Sequence, residues 1–145
     1  MAYQTIQVEE VQDKIGIITL NRPEKSNAIS IQMRREITNC MELLENRDDI
    51  GVVIITGTGT VFSAGFDLKE FSQPDLLKEI YESSAIYHRV IWHFPKPIIA
   101  AINGLVLGGG FNLAILCDMR ICNYSASFGH HWAIASWQPC PLFDR

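Results

Sequence analysis

The chain has 145 residues, of which 12 are basic and 16 acidic, for a formal net charge of −4, and 48% of its side chains are apolar. That length and apolar content fit one globular domain with a buried core and argue against a disordered chain. The Lys and Arg residues are scattered, so no basic field meets nucleic-acid phosphates, and no nucleic-acid partner is expected.

Cysteines at positions 40, 117, 122 and 140 follow no secreted framework, and MAYQTIQVEE has no positive region leading into an apolar one. The expected compartment is reduced and cytoplasmic. The segment 97–117 carries no charge and is long enough to cross a bilayer. Pro97, Asn103, Gly104, Gly108, Gly109, Gly110 and Asn112 weigh against a span, because helix-weakening and polar groups are costly in lipid. A buried strand, a turn and a buried helix are expected there, and no membrane partner.

In chain order, residues 5–10 and 15–20 are β-rich runs separated by a polar turn at 11–14, which predicts a hairpin. Asn21-Arg22-Pro23 stops the second strand, and 22–28 reads as a polar loop. Ser30 is an expected N-cap, followed by Met33, Ile37, Met41 and Leu44 at helical spacing, with Arg34, Arg35, Glu36 and Glu42 on other faces. Residues 51–56 (GVVIIT) predict a strand covered on both faces.

Residues 57–65 (GTGTVFSAG) read as a working loop or tight connector. Asp67 is positioned to cap a short helical turn, and after Gln73-Pro74 an apolar stripe of Leu76, Leu77, Ile80, Ile86, Tyr87, Val90 and Ile91 predicts a longer helix. Residues 98–102 predict a buried strand, Asn103-Gly104 a turn, 108–116 a helix, 119–123 a strand and 127–129 the start of another. Strand, turn and helix recur across 51–93 and 98–116, a loose internal echo.

Two glycine-rich turns, Ser63-Ala64-Gly65-Phe66 and Leu107-Gly108-Gly109-Gly110, each follow a predicted strand and precede a helix. Free N–H groups there would suit an anion or a developing oxyanion. Small residues for close helix–sheet packing are the alternative. Neither turn has the order of a phosphate loop or a dinucleotide fingerprint. Cys117, Cys122, His130, His131 and Cys140 lack zinc spacing, so no metal is expected.

NRPEKSNA (21–28), FSAGFDLKE (62–70), PKPIIAAING (95–104) and GGGFNL with Cys117-Asp118 together resemble the enoyl-CoA hydratase/isomerase (crotonase) family over about residues 5–129. The resemblance implies an α/β fold, a spiral of ββα units, with residues 1–130 as a partial core. It implies acyl-CoA thioester chemistry of fatty-acid metabolism, as a lyase or isomerase, through an enolate held by the backbone N–H groups of Phe66 and Gly109.

Coenzyme A is then part of the substrate and not a separate cofactor. The resemblance places Lys25, Asn27, Ala28, Ala64, Gly65, Asp67, Leu68 and Gly108 around it, with Arg22, Lys25 and Lys69 as candidate cations for its phosphates. It also implies a homotrimer or hexamer built through C-terminal helices, which are expected to be absent from these residues.

Hydratases of the family use two glutamates. At the first position this chain has Asn112, whose amide cannot take a proton at neutral pH. Trp132 falls at the second. The string HWAIASWQPCPLFDR (131–145) departs from the family, and a frameshifted, alternatively spliced or artificial tail is the reading of it. His130, His131, Asp67, Glu70 and Asp118 are the remaining acid–base candidates, of which Asp67 reads as a cap and Asp118 as a structural acceptor. The alternative function is a catalytically weak or inactive acyl-CoA-binding or oligomer-interaction fragment.

Overall fold

The β-rich runs near the start form an antiparallel hairpin, β1 (Ile6–Val11) and β2 (Ile15–Leu20), in the computed structural model, which describes residues 3–11 and 14–129. In β2, Gly16, Ile18 and Leu20 are buried while the residues between them are half-buried, the period-two signature of a strand with one face on the core. The loop that follows contains a short 3-10 turn, Pro23–Lys25, with proline at its first position, where the missing N–H costs nothing.

Ser30 caps α1 (Ile31–Glu45) by accepting the Met33 N–H at 3.1 Å, and Met33, Ile37, Met41 and Leu44 are buried as their spacing requires. The far end of α1 is closed from a distance. Lys96 Nζ donates to the carbonyls of Leu44 and Arg47 at 2.6 Å each, which satisfies acceptors the helix itself cannot.

Beyond α1 the chain runs β3 (Val52–Gly57), β4 (Val61–Ser63), α2 (Leu68–Phe71), α3 (Leu77–Trp92), β5 (Ile98–Ile102), β6 (Leu105–Leu107), α4 (Gly109–Leu116), β7 (Met119–Cys122) and β8 (Phe128–Gly129). One sheet has the order β1-β2-β3-β5-β7 and the other β4-β6-β8. After the hairpin every pairing is parallel. Each of the pairs β3/β4, β5/β6 and β7/β8 sends one strand to each sheet, so the chain climbs as a spiral of strand–strand units, with helices after the first two. The internal echo in the sequence is this repeat.

Ile18, Leu20, Val53, Ile55, Ile98, Ala100 and Ile102 of the larger sheet share one core with Met33, Ile37 and Met41 of α1, Tyr87 and Ile91 of α3 and Leu113 of α4. Each large side chain so buried contributes about 1.5–3 kcal/mol before entropy is counted. Among the described residues no helix is long and apolar enough to cross a membrane.

Several expectations need correction. The stretch 57–65 is not all loop, and a further strand follows Asn103-Gly104. β4 and β6 are only three residues each and form because they pair with one another, a long-range condition that no local pattern announces. Only one face of β3 is fully buried, through Val53, Ile55 and Gly57. The stripe of α3 narrows to Ile80, Ser83, Tyr87 and Ile91, with Leu77 and Ile86 exposed. Arg34, expected off the apolar stripe of α1, has no exposed surface, because α1 packs against α3 on that side.

Candidate functional site

β4 and β6 are parallel neighbours, so their C-terminal ends lie side by side and bring the two glycine-rich turns together. Gly65 has φ +97° and Gly108 φ +47° with ψ −117°, conformations that side chains rarely tolerate. A β-carbon on Gly65 would lie 2.9 Å from the Leu107 carbonyl oxygen and 3.0 Å from the Gly109 nitrogen. One on Gly110 would lie 2.7 Å from both Cβ and the carbonyl oxygen of Ser63. The close-packing reading of the small residues therefore holds at Gly110, while Gly65 and Gly108 turn the backbone.

Each positive-φ glycine is followed by a backbone donor. Phe66 forms an isolated parallel bridge with Ile29, in which Ile29 N donates to Gly65 O at 2.7 Å and Asp67 N donates to Ile29 O at 3.2 Å. In that pattern the N–H of Phe66 itself points to the other side of the strand. Gly109 opens α4, where a helix offers its N–H no partner. Neither N–H is donated to another described residue. Two such donors on abutting turns, one at the positive end of a helix, suit an oxygen that gains negative charge.

The ring of Phe66 is surrounded by Phe71 and His88, with centroids 6.3 Å away in each case, and by the Arg34 guanidinium, whose carbon lies 5.3 Å from the ring centroid. Arg34 Nε donates to Ser83 Oγ at 3.1 Å, and Nη2 lies 3.4 Å from Glu70 Oε2. Burial lowers the pKa of Arg34 against the pull of Glu70. Burial also raises the pKa of Glu70, although its carboxylate accepts the Ile31 N–H at 2.9 and 3.0 Å and faces Arg34. Arg34 Nη1 and Tyr87 Oη have no hydrogen-bond partner among the described residues.

His88 Nδ1 lies 2.7 Å from the Ser84 carbonyl oxygen. A carbonyl only accepts, so Nδ1 is the donor in this contact and Nε2 is the ring nitrogen left for other partners. Neither Arg34 nor His88 stood out in the sequence. A charge at a helix position looks solvated, and a histidine flanking an apolar stripe carries no signature of its neighbours.

The loop 21–28 runs beside the first turn: Ala64 N donates to Ser26 O at 2.9 Å and Ser63 Oγ to Asn27 O at 2.8 Å. Asn27 is fully buried, and its side chain is committed to the protein, accepting from Arg22 N and donating to the Thr58 and Val61 carbonyls. Arg22 is likewise engaged, with Asp67 at 3.0 Å and the Ala28 carbonyl at 2.7 Å. Asp67 caps α2 by accepting the Lys69 N–H, and Asp118 accepts the Ile98 N–H at 2.8 Å. Lys25, Lys69 and Leu68 are exposed, whereas Ala28, Ala64, Gly108 and Asn112 are half-buried.

Asn112 lies one turn into α4, its N–H donated to Gly108 O. Trp132, His130, His131, Cys140 and the segment 131–145 fall outside the described residues. Among the described residues no group of three or more His, Cys, Asp or Glu side chains is arranged to hold a metal ion.

Residues 10–133 match the family described as enoyl-CoA hydratase/isomerase. The chain is 39% identical over 134 residues to a hydroxycinnamoyl-CoA hydratase-lyase of Pseudomonas fluorescens, covering 88% of this chain and 48% of that protein. It is 40% identical over 129 residues to a probable enoyl-CoA hydratase of Mycobacterium leprae, covering 89% and 50% respectively. A crystal structure of an enoyl-CoA hydratase/isomerase from Xanthobacter autotrophicus superimposes with a TM-score of 0.82 at 37% identity, over 89% of this chain and 49% of that one. The chain spans about half the length of the curated relatives it matches.

Proposed function

The chain belongs to the enoyl-CoA hydratase/isomerase family, and on that premise we propose that it binds an acyl-CoA thioester and stabilises the derived enolate between the N–H groups of Phe66 and Gly109. The observation that carries this reading is the abutment of the two glycine turns, each leaving one undonated N–H. The thioester oxygen becomes strongly negative only when the α-carbon is deprotonated or the β-carbon is attacked. Fixed donors therefore favour the transition state over bound substrate, by about 3–4 kcal/mol each.

Coenzyme A enters as part of the substrate. Lys25 and Lys69 are exposed near the first turn and free of ion pairs with described residues, so they, and not Arg22, are the cations offered to its phosphates. Asn112 stands where the resemblance places a carboxylate, and its amide orients a group without exchanging a proton. Proton transfer then falls to another group. His88 is the imidazole whose ring contacts Phe66, and its Nε2 is free to accept.

The test is turnover of crotonyl-CoA and of a 3-enoyl-CoA, followed by absorbance. Measurable conversion of either is expected, and a flat trace at high protein concentration overturns the enzymatic reading. The identity of Asn112 favours a second reading, acyl-CoA binding without hydration. That reading requires a rise in melting temperature with saturating acyl-CoA, and an unchanged melting temperature overturns it.

A further inference from the structure

Arg34 heads the largest side chains that are fully buried, and its charge is poorly matched at that position. Nε bonds Ser83 and Nη2 faces Glu70 at 3.4 Å, but Nη1 has no hydrogen-bond partner among the described residues. A buried guanidinium with an unpaired donor is costly, and an apolar side chain of similar volume commonly serves a packed site as well or better. Fold stability does not account for Arg34.

The guanidinium carbon lies over the Phe66 ring, 5.3 Å from its centroid, where a desolvated cation is held by the ring quadrupole. The backbone of Phe66 is fastened as well. Ile29 bridges it, and Glu70, shortly after it in α2, holds the Ile31 N–H of α1 with both carboxylate oxygens. Arg34, one turn further along α1, links to that same Glu70 and lies over the ring. The ring in turn bears on the second turn, since a β-carbon on Gly109 would lie 3.0 Å from three of its carbons.

We propose that Arg34, held by Glu70 and Ser83, is a positioning residue that fixes the Phe66 ring against Gly109 and so sets the spacing of the two N–H donors. The inference rests on the acyl-CoA reading above. A planar guanidinium bonds two partners in its plane while its face lies on a ring, which a lysine ammonium does not reproduce.

The test uses the full chain and acetoacetyl-CoA, a β-keto thioester whose enolate absorbs in the near ultraviolet. Two well-spaced donors lower the pH at which the bound thioester ionises. Arg34→Met is expected to bind acetoacetyl-CoA in its neutral form within about twofold of the parent, and to raise the ionisation midpoint of the bound thioester by about one pH unit or more, a tenfold loss of enolate preference. Arg34→Lys is expected to fall between the two.

An Arg34→Met midpoint equal to the parent's overturns the positioning role. If Arg34→Met does not fold, Phe66→Leu decides. It keeps the backbone N–H and removes the ring face, and an unchanged midpoint in it overturns the proposal equally. A parent chain that leaves the midpoint of free acetoacetyl-CoA unaltered overturns the acyl-CoA reading itself, a result distinct from the other two.

Discussion

Gly65 approaches Gly109 so closely that a β-carbon on Gly65 would lie 3.0 Å from the Gly109 nitrogen and 2.9 Å from the Leu107 oxygen. Both contacts are with backbone, which cannot swing aside as a side chain can. With φ at +97°, Gly65→Ala adds a conformational cost of about 1–3 kcal/mol to the clash. The expected result is a lower unfolding midpoint in urea together with loss of the acyl-CoA-induced thermal shift. Parent-like values for both would mean that the turns are not packed in this way.

The two ends of the buried ion pair should not be equivalent. Removing Glu70 as Glu70→Ala leaves the Arg34 charge unpaired with no exposed surface and orphans the first N–H of α1, a loss of about 3–5 kcal/mol. Arg34→Met leaves Glu70 on the Ile31 N–H at a helix N-terminus, partly reached by solvent, and is expected to change stability by no more than about 1 kcal/mol. Equal losses in denaturant unfolding would contradict this asymmetry.

Asn112→Glu supplies a titratable oxygen on the first turn of α4, beside the proposed donors. If proton transfer limits hydration in this chain, the substitution raises the crotonyl-CoA hydration rate by about tenfold or more. The check is the initial rate for parent and variant in the same assay. A rate that does not rise would place the limitation elsewhere.

Glu36 fastens the start of the chain to α1, accepting from Thr5 N at 2.8 Å, Thr5 Oγ1 at 2.6 Å and Gln4 N at 3.0 Å. Burial pushes its pKa up, and these hydrogen bonds outweigh the burial, so the pKa lies below the usual carboxylate value. A lowered carboxylate contributes stability that is present above its ordinary pKa and lost as the pH falls through the lowered one. Glu36→Gln should cost about 1–2 kcal/mol at neutral pH and flatten the acid limb of the stability curve. A thermal-melt series from neutral pH downward distinguishes the two proteins.

Local features were legible where a few adjacent residues suffice. Ser30 and Asp67 cap the helices that follow them, because such side chains bond N–H groups of the first turn. Asp118 serves as an acceptor too, but for the Ile98 N–H of a neighbouring strand. Asn27 lay in a legible motif, yet its side chain is spent on the Thr58 and Val61 carbonyls, partners that its neighbours in sequence do not reveal. Arg34 read only as lying off the apolar stripe for the same reason: helical spacing identifies a face but not what packs against it.

By itself the sequence determined the two glycine turns, the longer strands and helices and the family likeness, since backbone freedom, capping and periodicity act over a few residues. Only the tertiary structure decided that the turns meet. β4 and β6 are too short to announce themselves, and they exist because each pairs with the other across the intervening helices and β5. That pairing places Phe66 beside Gly109, and the burial of Arg34 behind Phe66 follows from the packing of α1 on α3.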